Sequence, residues 1–409
     1  MIRDSVVGVM YGPPSNTRGI GLDWRSFAIS AEEVRNMFAH GTPYLFLAAL
    51  LASQTAASGQ NPVTTRQEAS PQPRSATLRE AGSARRLIIG TAAGPGRLSE
   101  PQYADTLAAQ FRQIEPEIHM KFGFIHPRPG SDASAYDFAP ADKLVAFAQA
   151  HDMLVRGHCF VWHQRVSDWV VGGVAAKTID SEQLKAILQN HISTVAGHYA
   201  GKVWAWDVVN EAFNDDGSLR STIWYDSPGI GLKGRGTAYI EQAFRWAHAA
   251  DPKAKLFYND YQAEVINPKS DAIYAMAKDF VARGVPIDGI GFQAHFSLAF
   301  DNPKTLDSFA ANLKRFSDLG LEIHITELDV RVNAPNAANL AAQAALYGKV
   351  TTVCLQNPNC RVLQTWGFTD KYSWIPDFFK GKQGWALPFD DSYQKKPAYN
   401  AILKALGST

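Results

Sequence analysis

Val203-Trp204-Ala205-Trp206-Asp207-Val208-Val209-Asn210-Glu211 has the composition of a strand, with β-branched and aromatic residues throughout and a carboxylate at its middle and its end. Alternation puts Val203, Ala205, Asp207, Val209 and Glu211 on one face and Trp204 and Trp206 on the other. The polar loop Asn214-Asp215-Asp216-Gly217-Ser218 follows closely. A carboxylate at the carboxyl end of a strand, opening into such a loop, is where an α/β barrel places its chemistry. An acidic pair can also simply solvate a strand end, so this stretch alone decides nothing. A second strand of the same design does. Leu321-Glu322-Ile323-His324-Ile325-Thr326-Glu327-Leu328-Asp329 also delivers a glutamate at its carboxyl end, with Asp329 on the same face.

Outward from these two stretches the chain alternates strand and helix. Strands are expected at Leu87–Thr91, Ile118–Phe124, Leu154–Trp162, Lys255–Asp260, Gly289–His295 and Arg361–Phe368 besides the two already quoted. Helices are expected at Tyr103–Ile114, Ala141–His151, Ser181–Tyr199, Ala238–Ala249, Ser270–Arg283, Leu306–Leu319 and Ala337–Leu355. Eight strands alternating with helices predict an α/β fold, a (β/α)8 TIM barrel rather than an open doubly wound sheet. No glycine-rich dinucleotide or phosphate fingerprint follows any of these strands.

Polar residues gather at the carboxyl ends of the strands. His158, Phe160 and Trp162 share a face of the third, Gln293 and His295 a face of the sixth, and the eighth runs into Trp366 and Trp374. Any one histidine reads most simply as structural, but the same end of five or six strands is a site. Two glutamates from distant strands suit the acid and nucleophile of a glycosidase. A metal is the competing use of histidines. There is no HExxH and no zinc-type His/Cys spacing, so neither metal nor cofactor is expected.

Lys+Arg 40 against Asp+Glu 39 leaves no net field to draw nucleic acid or an anionic membrane. Ten tryptophans and fourteen tyrosines offer flat apolar faces that suit sugar rings. Residues 1–59 read as an N-terminal extension, because Pro43–Ala52 is an apolar run too short to span a bilayer and small residues follow it. That pattern is a secretory signal, with a long n-region or a start at Met37, and its alternative is a buried helix. Residues 60–86, rich in Ser, Pro, Thr, Gln, Ala and Arg, read as a disordered linker before a catalytic barrel over 87–406. Cys354 and Cys360 bracket a short loop that a disulfide can close in a secreted protein, extracellular or periplasmic, leaving Cys159 as a buried free thiol.

GHCFVWH at 157–163, WDVVNEAF at 206–213, YNDY at 258–261, GIGFQAHF at 289–296, HITELDV at 324–330 and TWGFTDKYSWIPDFF at 365–379 occur in this order, before ALPFDDSYQKKPAYNAI. Together they resemble glycoside hydrolase family 10, the retaining endo-1,4-β-xylanases, over roughly Leu87 to Leu406. The resemblance implies Glu211 as general acid/base, Glu327 as nucleophile, and Asn210 holding the nucleophile and the sugar 2-hydroxyl. It places Lys121, His158, Trp162, Gln293, His295, Trp366 and Trp374 on the glycone side and Asn259 and Tyr261 toward the leaving group. Asp207 and Asp329 would stand behind these, with His295 keeping Glu327 charged. The implied partner is xylan or a xylo-oligosaccharide, bound by a monomer. The rivals are a retaining endo-β-glucanase of the same fold and a catalytically silent sugar-binding barrel, which would have been free to lose one of the two glutamates.

Two departures from the family pattern fall beside the second glycone sugar. Glu-Asn-Glu-Met-Lys-Trp is here Glu117-Ile118-His119-Met120-Lys121-Phe122, and Trp-His-Ser-Gln is here Trp162-His163-Gln164-Arg165. Ile118 neither donates nor accepts a hydrogen bond, and Arg165 only donates, with a permanent charge. Arg165 is therefore expected to pair with the carboxylate of a glucuronic acid branch on the glycone side, the alternative being that it turns to solvent or pairs with Asp168.

Overall fold

The nine strands of the structure, a computed structural model describing residues 76–407, pair without exception in parallel. They are β1 Ile88–Ala93, β2 Gln113–Pro116, β3 Leu154–Val161, β4 Ala205–Asn210, β5 Lys255–Asp260, β6 Gly289–Phe292, β7 His295–Ser297, β8 Glu322–Arg331 and β9 Cys360–Thr365. Pairing of β6 with β8 closes the ring, and β7 extends the β6 position along β8, so the barrel has eight positions. Helices Pro101–Gln110, Ala139–Ala150, Ser181–His198, Ala238–Ala250, Pro268–Ala282, Pro303–Ser317 and Ala337–Gln356 alternate with the strands, as the (β/α)8 expectation requires. Their starts are chemically marked. Asp180 and Asn267 each accept from the third residue of the helix they open, whose side chain returns the bond.

Three local expectations need correction. Residues 78–84, placed in the linker, form a helix capped by Thr77 and Glu80, with Leu78 and Ala81 buried. The signal region and residues 60–75 of the linker lie outside the described residues. Ile118–Phe124 is not a strand: the second strand is Gln113–Pro116, and Phe122–Ile125 is a helical turn. Gln113 and Glu115 are fully buried, yet polar and bonded to Gln364 at 2.5 Å each, so this strand shows no apolar period. Third, strict alternation fails where the register shifts, between His158 and Val161, Asp207 and Val209, and Ile325 and Leu328. Phe160 therefore leaves the His158 face and stacks on Trp206 outside the barrel, ring centroids 4.2 Å apart. Trp204 goes to the opposite side, donating to Gln113 Oε1 at 2.8 Å near the amino end of the barrel.

The inside of the barrel carries a buried ionic layer. Arg156 is bidentate to Asp207, approaches Glu115 Oε2 at 3.5 Å and His324 Nδ1 at 2.7 Å, and is itself fully buried. Burial and the charge of Asp207 push the Glu115 carboxyl well above its ordinary range. Asp207 moves the other way: its own burial is outweighed by Arg156 and by the bond from His158. Glu115, His158 and Asp207 offer ligand atoms within 4.8 Å of one another, but the Arg156 guanidinium already meets their charge.

Cys354 lies in the last turn of its helix and Cys360 opens β9, and the two are bridged with Cα atoms 5.3 Å apart. Cys159 is free and buried, its thiol pushed well up by desolvation, which makes it a poor nucleophile. No helix among the described residues is long and apolar enough to cross a membrane.

Candidate active site

Every barrel strand releases its loop at one end, and there a cleft of about 1000 Å³ opens. Glu211 follows β4 with a left-handed backbone, φ 58°, which turns it off the strand toward the cleft. Trp162 Nε1 donates to its Oε2 at 2.8 Å and Gln293 Nε2 to its Oε1 at 3.0 Å. Both donors are neutral. Glu327, within β8, meets something different. His295 Nε2 lies 3.0 Å from its Oε2, and Asn259 Nδ2 donates to its Oε1 at 2.9 Å.

His295 is held from its other side as well. Its Nδ1 is 2.8 Å from Asp329 Oδ2, which also accepts from Trp374 Nε1 at 2.9 Å. Burial alone would strip the imidazole of its proton, but the two carboxylates win and raise His295 to about 10. The imidazolium then acts on Glu327. Desolvation pushes that carboxyl up, yet the hydrogen bond and charge of His295 leave it below its ordinary value, ionised through the neutral range.

The two glutamates are linked by a chain of amides. Gln293 Nε2 reaches both Glu211 and, at 3.3 Å, Asn210 Oδ1; Asn259 Nδ2 reaches both Glu327 and, at 2.9 Å, the same Asn210 oxygen. Thr326 Oγ1 fixes the orientation of Asn259 by donating to its Oδ1 at 2.8 Å. Gly291 leaves the room for this: a Cβ there would come within 2.2 Å of Asn259 Oδ1.

Of the residues expected from sequence, Lys121, His158, Trp162, Arg165, Asn210, Glu211, Tyr261, Gln293, His295, Glu327, Trp366 and Trp374 all line this one cleft. Lys121 Nζ stands 4.7 Å over the Trp162 ring and 5.3 Å from Trp366, a cation between two sugar-sized platforms. Asn259 is placed differently from the expectation. It is fully buried and serves Glu327, so it does not face the leaving group. Asn210 accordingly reaches Glu327 only through Asn259. Asp207 and Asp329 lie behind the cleft, against His158 and His295.

A sequence model of Glycosyl hydrolase family 10 matches residues 77–405. The chain belongs to glycosyl hydrolase family 10. It is 44% identical over 325 residues to endo-1,4-beta-xylanase B of Thermotoga neapolitana, covering 78% of this chain and 88% of that protein. Endo-1,4-beta-xylanase C of Phanerodontia chrysosporium is 39% identical over 326 residues, covering 79% and 77%. Among solved structures, xylanase 10B of Thermotoga petrophila RKU-1 in complex with xylobiose superposes with a TM-score of 0.75 at 43% identity, covering 82% of this chain and 98% of that one.

Within this family 10 barrel, the support of Glu211 escaped the sequence reading. Its own N–H donates to Asn259 O at 3.0 Å, its carbonyl accepts from Arg220 Nε at 3.1 Å, and the next N–H, of Ala212, donates to Tyr258 OH at 2.9 Å. Tyr258 in turn donates to Asp260 at 2.5 Å, and Lys269 pairs with Asp260 at 2.8 Å while standing 3.6 Å over the Tyr261 ring. Burial still raises Asp260 to about 7 against that lysine. An acid ending a strand with a tyrosine two residues before it was the available signal, in Tyr258-Asn259-Asp260.

The imidazolium makes a pH prediction. In His295→Gln the charge beside Glu327 is gone, so the acid limb of the kcat/KM profile moves to higher pH; an unmoved limb would mean that His295 does not hold Glu327 ionised. The stability sign is separate. A group raised to about 10 contributes fully below its unfolded value of roughly 6.5 and loses that contribution as pH rises through about 10. Thermal midpoints of wild type and His295→Gln should therefore converge across that window.

Proposed function

We infer that this chain is an endo-1,4-β-xylanase, cutting internal β-1,4-xylosidic bonds of xylan with retention of configuration. The observation that carries the reading is the unequal treatment of two carboxyl groups in one cleft. Glu327 touches an imidazolium, whereas the Glu211 carboxyl receives only neutral N–H donors. Glu327 is thus the ionised partner that attacks the anomeric carbon, and Glu211 carries the proton that the leaving oxygen takes. The C–O bond breaks as the glycosyl ester to Glu327 forms. Glu211, now a carboxylate, takes a proton from water, whose oxygen attacks the same carbon from the face the leaving group vacated and releases Glu327. Two inversions give net retention.

Both acid–base and nucleophilic roles are met by side chains, so the reaction needs no cofactor. Trp162, Trp366 and Trp374 supply ring faces for the sugars, and one chain supplies both glutamates, so a monomer is enough for the chemistry. The bridged Cys354 and Cys360, with the apolar run Pro43–Ala52 ahead of the barrel, favour a secreted protein made with a cleavable signal. The relatives named as xylanases make xylan the first substrate to test. Reducing ends released from xylan, cellulosic glucan and mixed-linkage glucan should show xylan turned over fastest, with oligosaccharides appearing before xylose. Faster release from a glucan would contradict the substrate assignment.

A further inference from the structure

Four long cations line the cleft, Lys121, Arg165, Arg220 and Arg331, and none is ion-paired among the described residues. Three of them have other employment. Lys121 sits over two tryptophan rings, Arg220 holds the carbonyls of Glu211 and Phe213, and Arg331 reaches Gln383 and the His295 carbonyl. Arg165 has none: its exposed guanidinium meets no acceptor among the described residues, and Asp168, three residues on, does not pair with it.

Its backbone is nonetheless tightly specified. Arg165 has φ 53°, in the left-handed region that side chains disfavour, and its carbonyl accepts from Gly123 N–H at 2.6 Å. A Cβ at position 123 would lie 2.7 Å from that oxygen, so glycine is needed for the contact. The chain thus fixes a strained corner and leaves the charge at its tip unpaired, over the cleft. The surroundings sharpen this. Glu117, an acid that also lines the cleft, is already held by Arg97 at 2.7 Å, and Ile118 beside it is apolar. A ligand in this cleft meets the charge of Arg165 and no hydrogen-bonding partner at Ile118.

We propose that Arg165 is a specificity-determining residue that binds the carboxylate of a uronic acid branch on the xylan chain. The proposal rests on the xylanase reading above. Main-chain xylose is uncharged, so on this substrate only an acidic branch presents the planar anion that a guanidinium grips with two parallel N–H bonds. Neutral branches offer no such partner. A lysine would supply the charge without the fork.

The test compares three oligosaccharides of equal backbone length: one bearing a uronic acid branch, the same compound with its carboxyl reduced to an alcohol, and the linear form. For wild type, kcat/KM should favour the acid over its reduced counterpart by about three- to tenfold at low ionic strength, shrinking as salt rises. Arg165→Gln should bring that ratio to near one, and Arg165→Lys should fall between. The position of the branch relative to the bond cut then reports on which side of the carboxylate pair Arg165 stands. An acid-to-reduced ratio equal in wild type and Arg165→Gln overturns the proposal. Failure of wild type to cut even the linear xylo-oligosaccharide overturns the xylanase reading, and the proposal with it.

Discussion

Glu327→Ala is expected to lose turnover on every substrate, by about 10⁴-fold or more in kcat, whatever the leaving group. The reason is that no neighbouring group can take over the attack. Asp329 is already engaged by His295 and Trp374, and Asp207 is gripped by Arg156 and His158 deeper in the barrel. The variant should still fold, because Asn259 keeps Asn210 and Thr326 as partners and the imidazolium keeps Asp329. Steady-state rates on xylan and on an activated aryl xylobioside, with a thermal midpoint as control, check this. Retained turnover of the aryl substrate would remove Glu327 from the nucleophile's role.

Glu211→Ala should behave differently. On xylan the loss is expected at about 10²–10⁴-fold, the range a positioned proton donor contributes. On an aryl xylobioside whose phenolate leaves without a proton, the first step should be nearly spared while the second is slowed. The glycosyl-enzyme then accumulates, visible as a burst of phenolate and a lowered KM, and azide, a nucleophile needing no base, should restore turnover. If Glu211→Ala and Glu327→Ala lost the burst equally, the two roles would be wrongly assigned.

What could be read from sequence follows from where the chemistry sits. β3, β5 and β8 are rich in β-branched and aromatic residues, and each lies within two residues of the bounds read from sequence. Glu211 and Gln293 directly follow β4 and β6, and Glu327 and His295 sit in or beside well-patterned strands, which is why they were legible. β2 was not, because a four-residue strand whose inward side chains are Gln113 and Glu115 has no hydrophobic period to detect. The faces of β4 were half right. A register shift after Asp207 lets Asp207, Asn210 and Glu211 all reach inward, and simple alternation cannot express a bulge. The grip of Arg220 and Tyr258 on the backbone around Glu211 depends on side chains meeting carbonyls and N–H groups across loops, a pairing that residue identities alone do not encode.

The central claim is that Glu327 forms a covalent bond to the sugar while Glu211 manages the proton. It is tested most directly by incubating the protein with a 2-fluoro-xylobioside bearing an activated leaving group, whose fluorine slows both steps and whose leaving group lets the first proceed. Digestion and mass spectrometry should then find one fluoroxylobiosyl group, on the peptide carrying Glu327. A label on Glu211, or no label while the same protein hydrolyses xylan with inversion, would contradict the account.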